Sequence, residues 1–188
     1  MQEKTAPTAL VPLADGYEEI EAATIVDVLR RGDVEVTTAA IGGSLEVRGA
    51  HGMGTRADAL FAEVQERDFD AIVLPGGGEG TDNLRKCSAL LERIVRQREQ
   101  RGLLAAVCAA PTVLSAAGVL SPNQHATCYP TCQLELDCPW INQPVVEHNG
   151  IVTGQAPGSA MLFSLVVLKV LAGEQVVRKV ARGMVFDF

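Results

Sequence analysis

No stretch of this chain has the length and apolarity of a membrane span. The longest apolar run, Ala160–Ala172, is interrupted by Ser164 and Lys169 and falls short of the about 20 residues that cross a bilayer. It reads as a buried helix, and no membrane partner is expected. Basic residues are in the minority, 16 Lys and Arg against 23 Asp and Glu, for a formal net charge of −7. Phosphate backbones are held by clustered cations, so this balance argues against a nucleic-acid partner. Arg93, Arg96, Arg98 and Arg101 do gather, but Glu92 and Glu99 interleave with them as on a solvated helix face. Met1–Pro7 lacks the apolar core of a secretory signal, which leads to the expectation of a cytoplasmic protein with a loose N-terminal arm, residues 1–7. No internal repeat or linker divides the remainder, so residues 8–188 read as one domain. The five cysteines are odd in number, and a cytosolic setting disfavours structural disulfides. Cys128, Cys132 and Cys138, with His125 close by, lack the paired spacing of zinc modules, so no metal is assigned.

What is present is a chain of 188 residues, 47% of them hydrophobic, enough for one sizeable core. Short apolar runs alternate with helical stretches. Ala9–Leu13 reads as a strand, Glu18–Arg31 as a helix and Glu35–Ile41 as a second strand. Leu45–Val47 and Met53–Arg56 form a small hairpin, and a further sheet strand at Asp70–Leu74 ends in Pro75-Gly76-Gly77-Gly78. Helices follow at Thr81–Cys87 and Leu90–Arg101, then a strand at Leu103–Val107 that runs into Cys108 and a helix from Ala109 to Ala117. A strand at Ala126–Cys128, a hairpin of Val145–His148 and Ile151–Gly154 turned by Asn149-Gly150, and helices at Ser159–Leu171 and Glu174–Arg182 complete the series. The alternation implies an α/β fold, a mostly parallel sheet with helices on both faces.

In such sheets ligands sit beyond the carboxyl ends of the strands. Asp15–Glu18, Pro75–Gly78 and Cys108–Pro111 should therefore converge. Cys108 stands between a buried strand and a helix, among small residues that permit a sharp turn, as in a nucleophile elbow. A helix N-terminus would lower its pKa and make the thiolate both nucleophilic and oxidisable; the alternative is an inert buried thiol. The glycines after Leu74 lack a nucleotide fingerprint, but their N–H groups could point into the crevice as oxyanion donors, or simply make a tight turn. Glu18, Glu19 and Glu21 open the first helix, where carboxylates complement the dipole. Glu21, about one turn in, could turn toward the crevice and, protonated, bond the sulfur. His51 and His148 read as surface residues, and Trp140 and Phe163 as core. Cys128 would be a resolving thiol for Cys108 if its strand borders the crevice.

Gly16-Tyr17-Glu18-Glu19-Ile20-Glu21, Leu74-Pro75-Gly76-Gly77, Ala106-Val107-Cys108-Ala109-Ala110-Pro111 and Ala156-Pro157-Gly158 together resemble the DJ-1/ThiJ/PfpI superfamily, in order and with compatible spacing from about Ala9 to Val180. The resemblance implies a flavodoxin-like three-layer sandwich and a homodimer. It also implies Cys108 as nucleophile, Glu21 as its protonated partner, and Gly77 and the Ala109 backbone as oxyanion donors, with Gly76, Tyr129, Cys128, Ala156 and Pro157 as site neighbours. No metal or organic cofactor is implied. The implied activity is glutathione-independent glyoxalase or deglycase action on methylglyoxal, glyoxal or their protein adducts, with a redox-sensing chaperone as the alternative. A PfpI-like peptidase is disfavoured, because those proteins carry histidine where this chain has Ala109. One departure concerns the base: related proteins have a histidine before proline where this chain has Tyr129-Pro130, which leaves His125, four positions earlier, to be placed.

Overall fold

The structure, a computed structural model, describes residues 6–188. Most of the arm expected at 1–7 therefore lies outside the described residues, while Pro7 is tied to the sheet, its carbonyl accepting from Glu35 N–H at 2.8 Å. From there the elements run β1 (Thr8–Leu13), α1 (Glu19–Arg31), β2 (Glu35–Ala40), β3 (Glu46–Arg48), β4 (Gly54–Arg56), β5 (Ala59–Leu60), α2 (Phe61–Val64), β6 (Ala71–Leu74), α3 (Gly78–Lys86), α4 (Ser88–Glu99) and β7 (Leu103–Val107). They continue through α5 (Pro111–Ala116), β8 (Val145–His148), β9 (Ile151–Gly154), α6 (Ala160–Ala172) and α7 (Glu174–Gly183). One sheet has the order β5-β2-β1-β6-β7-β9-β8. All its neighbours are parallel except the β8–β9 hairpin, whose turn places Asn149 and Gly150 at φ 47° and 75°. β3 and β4 make a separate antiparallel pair.

Side-chain alternation sorts the strands between two cores. Val73 of β6 and Ala105 and Val107 of β7 face a core shared with Ile25 and Leu29 of α1, Phe163 and Leu168 of α6, and Val177 of α7. Ile72, Leu74, Leu104 and Ala106 face the opposite core with Leu84, Ile94 and Val113 from α3, α4 and α5. Strands apolar at both parities need cover on both sides, which the helices supply. The α/β three-layer sandwich expected from the sequence is the observed fold. Within it α6 is a cover helix: Phe163, Leu165, Val167 and Leu168 are completely buried.

The local differences have physical causes. Ala126–Cys128 is not a strand; only an isolated bridge joins Ala126 to Trp140. Its donors go elsewhere, Ala126 N–H to the Pro139 carbonyl at 3.3 Å and Thr127 N–H to Thr153 Oγ1 at 2.9 Å, and the next residue, Tyr129, donates its N–H to the Cys108 carbonyl at 2.7 Å. A 3-10 helix at Pro130–Glu135, not expected from the sequence, follows it. The helix expected from Ala109 begins at Pro111, because proline fits a first helical position while Ala110 N–H closes a turn onto the Val107 carbonyl at 3.0 Å. Phe163 is core, whereas Trp140 is only half-buried, its Nε1–H directed at the Cys128 carbonyl at 3.4 Å.

Candidate active site

The loops at the carboxyl ends of β1, β6 and β7 converge and are stitched through their backbones. Glu18 N–H donates to the Gly76 carbonyl at 3.0 Å, Gly80 N–H to the Gly16 carbonyl at 3.0 Å, and Cys108 N–H to the Gly154 carbonyl at the end of β9, also at 3.0 Å. Glycine is required where this packing is tightest. A Cβ on Gly76 would lie 2.7 Å from Cys108 Cβ and 2.8 Å from Glu21 Oε2. Gly77 has φ +98°, and a Cβ there would collide with the Gly16 carbonyl oxygen.

Cys108 sits at φ 62°, the left-handed region that costs a non-glycine residue about 1–3 kcal/mol and persists only where the surroundings enforce it. They do so at both ends of the peptide, through Gly154 O on its N–H and Tyr129 N–H on its carbonyl. The residue is 8% exposed. The backbone N–H groups of Gly77 and Ala109 and the Glu21 carboxyl group lie close enough to its sulfur to act on its titration. Glu21, one turn into α1, is completely buried. Its Oε2 accepts from Gly76 N–H at 2.7 Å, while Oε1 has no hydrogen-bond partner among the described residues. Cys108, Glu21, Gly76, Gly77 and Ala109 thus occupy one small volume.

The electrostatics differ from the expectation of a thiol acidified by a helix N-terminus. Burial, and then the adjacent Glu21 carboxylate, push Cys108 up to about 12 against the pull of the Gly77 and Ala109 N–H groups. α5 starts three residues downstream and is only six residues long, so its dipole does not offset the loss of water. Burial also pushes Glu21 up to about 7, with the Glu18 charge adding to it and the Gly76 N–H opposing. Two acids in contact titrate as a pair. A proton on Glu21 removes the repulsion and turns the carboxyl into a donor toward sulfur.

The other expected residues fall at varying distances. Tyr129 abuts the elbow through its backbone, and its side chain is 43% exposed at the rim. Ala156 and Pro157 follow β9, where Ser159 Oγ accepts from Ala156 N–H at 3.1 Å. Cys128 is fully buried, with Sγ–H donated to the Tyr129 carbonyl at 3.3 Å. Burial pushes its thiol up, with Cys132, Cys138 and Glu135 adding to the shift. His125 stacks on His148 with ring centroids 4.8 Å apart. His148 pairs with Ile151, at the opposite end of β9 from the Gly154 that meets the elbow, so His125 supplies no base to Cys108.

Sequence reasoning missed what Glu19 does. This carboxylate accepts from His51 N–H at 2.6 Å and Met53 N–H at 3.4 Å, and pairs with His51 Nδ1 at 2.9 Å. Burial alone would raise its pKa, but the His51 ring and backbone bonds hold it at about 2. Glu18 caps α1, accepting from Glu21 N–H at 2.7 Å. Glu19 and His51 lie 32 positions apart in sequence, and nothing local marks the pairing.

Among the described residues no helix is long and apolar enough to cross a membrane. The sequence profile of the DJ-1/PfpI family matches residues 7–170. The chain is similar to protein DJ-1 homolog A of Arabidopsis thaliana, with 38% identity over 90% of this chain but only 43% of the plant protein's length. It is 34% identical to the glutathione-independent glyoxalase DJR-1.2 of Caenorhabditis elegans, covering 88% of each chain. The crystal structure of Drosophila melanogaster DJ-1beta superposes with a TM-score of 0.94 at 34% identity, covering 98% of this chain and all of the fly protein. The order of strands, the glycine-lined crevice with its buried cysteine, and these likenesses lead to one conclusion: the chain belongs to the DJ-1/PfpI family.

Proposed function

We propose that this protein is a cysteine-dependent, glutathione-independent glyoxalase or deglycase acting on small α-oxoaldehydes such as methylglyoxal and glyoxal, or on their protein adducts. The observation that carries this reading is the juxtaposition of Cys108 and the buried Glu21 carboxyl across Gly76, where one added Cβ would meet both, 2.7 Å from Cys108 Cβ and 2.8 Å from Glu21 Oε2. The name of the Caenorhabditis elegans relative supports the same chemistry.

The Glu21 carboxylate takes the Cys108 thiol proton as the sulfur adds to the aldehyde carbon. The new C–S bond leaves an oxyanion, which takes the Glu21 proton to give a hemithioacetal. The carboxylate then removes the proton from that carbon, the hydroxyl proton passes to the neighbouring oxygen through the enediolate, and Glu21 returns its proton to the neighbouring carbon, forming a 2-hydroxyacyl thioester. Water hydrolyses the thioester to the 2-hydroxy acid and frees the thiol. The Gly77 and Ala109 N–H groups, which act on the sulfur, would donate to the developing negative charge. Among the described residues no histidine adjoins the elbow, so the proton traffic falls to Glu21. Steady-state loss of methylglyoxal with purified protein, beside Cys108→Ala, tests the reading: turnover that survives the substitution, or is absent from both proteins, overturns it.

A redox-responsive chaperone draws on the same sulfur. The N–H groups of Gly77 and Ala109 and a protonated Glu21 would also receive the oxygens of an oxidised cysteine. Aggregation suppression that depends on peroxide treatment, without aldehyde turnover, would favour that alternative. The homodimer is part of the proposal as well: Ile20 and Met53, 59% and 64% exposed, put apolar surface beside the crevice, and light scattering at the monomer mass would remove it.

A further inference from the structure

Beside the thiol site, and independent of its chemistry, Glu18, Glu19 and His51 each bring one ligand atom to within 4.8 Å of the others. The cluster is built from two elements, the first turn of α1 and the β3–β4 hairpin. Ala50 N–H, donated to the Tyr17 carbonyl at 2.9 Å, presses the hairpin onto the helix. Gly49 permits the approach, since a Cβ there would strike the Glu19 carboxylate.

The hydrogen bonding leaves ligand capacity unused. Glu19 Oε1 is occupied by the backbone N–H groups of His51 and Met53, which fix the carboxylate in place. Its Oε2 shares only a proton with His51 Nδ1, at 2.9 Å. Two ligands about 2.1 Å from one ion and at right angles stand roughly 3.0 Å apart, so an ion replacing that proton needs little movement. Glu18 is 7% exposed, and while its Oε2 caps the helix, its Oε1 accepts no hydrogen bond among the described residues. None of the ion pairs among the described residues brings a Lys or Arg to Glu18, Glu19 or Glu21, so the carboxylates at this helix start have His51 as their one cationic partner. Glu19 and Met53 also border a cavity of about 330 Å³, through which water could complete a coordination shell.

We infer that Glu18, Glu19 and His51 form a binding site for a divalent first-row transition metal ion, held by two carboxylate oxygens and one imidazole nitrogen with its remaining positions open to water. Carboxylate and imidazole together suit Zn²⁺, Co²⁺ and Mn²⁺ rather than the all-oxygen shell of Ca²⁺.

The test is calorimetric titration of Zn²⁺ into Cys108→Ser protein, which excludes the elbow thiol. One ion per chain is expected, with His51→Ala and Glu18→Gln each weakening binding at least tenfold. The His51 side chain is 74% exposed, so its removal leaves the fold intact even if Glu18→Gln does not. Co²⁺ loaded into the same protein should show ligand-field absorption without a sulfur-to-cobalt charge-transfer band. Absence of uptake, affinity unmoved by His51→Ala, or a thiolate band would each overturn the assignment.

Discussion

Glu19 and Glu21 stand two positions apart in one helical turn, yet the structure sends them to opposite ends of the carboxylate range. Glu19 faces the β3–β4 hairpin, where two backbone N–H groups and the His51 ring meet it, and it is held at about 2. Glu21 faces the elbow, where one backbone N–H and a thiol meet it, and burial lifts it to about 7. Both side chains are removed from water. The lesson is that burial sets the size of the stakes while the count of donors decides the sign. One carboxylate becomes a fixed anion and the other a group that exchanges its proton near neutrality.

The largest expected effect removes the feature peculiar to the elbow side. Cys108→Ala should abolish methylglyoxal turnover, measured by loss of the dicarbonyl, while Glu19→Gln retains it. The next comparison sets the two carboxylates directly against each other: Glu21→Gln should lower kcat by about 100-fold, the usual scale of a lost acid–base group, and Glu19→Gln by less than about tenfold. Equal losses would erase the distinction.

Stability against pH sharpens it further. Glu21 has a folded pKa above its unfolded value, so below the unfolded value both states are protonated and nothing is lost. As pH rises from about 4.5 to about 7, the folded state holds on to a proton that the unfolded state releases, and stability falls by up to about 3 kcal/mol. Urea unfolding of Glu21→Gln should therefore show a gain over the parent at pH 8 that vanishes near pH 4. Glu19 has the opposite sign, with its contribution lost as pH drops toward 2. Gly77→Ala should cost about 2 kcal/mol or more in the same assay, because φ +98° and the Gly16 carbonyl leave no room for a methyl group. The smallest effect is expected from His51→Ala: a slight fall in melting temperature, together with a rise in the pH at which Glu19 titrates by NMR.

Much of the fold was legible because strands apolar at both parities, such as Ala71–Leu74 and Leu103–Val107, and glycine-closed turns are local patterns. The elbow at Cys108 was legible for the same reason, as an apolar strand running into small residues and a proline. Ala126–Cys128 was misread because its composition suits a strand while its hydrogen-bond donors are claimed by Pro139 and Thr153. The direction of the Cys108 shift was misread because a helix dipole can be guessed from sequence, whereas dehydration by Gly76, Gly77 and the Glu21 side chain cannot.

Sequence by itself determined the layered α/β arrangement and the turn that carries the cysteine, since each follows from residues adjacent in the chain. Tertiary structure alone decided which carboxylate meets sulfur and which meets imidazole, and that His125 stacks far from the site. Those outcomes depend on contacts between residues 23 to 87 positions apart, and the free energy of an ionised group is set by the few donors and the water within a few ångströms of it, whatever their distance along the chain.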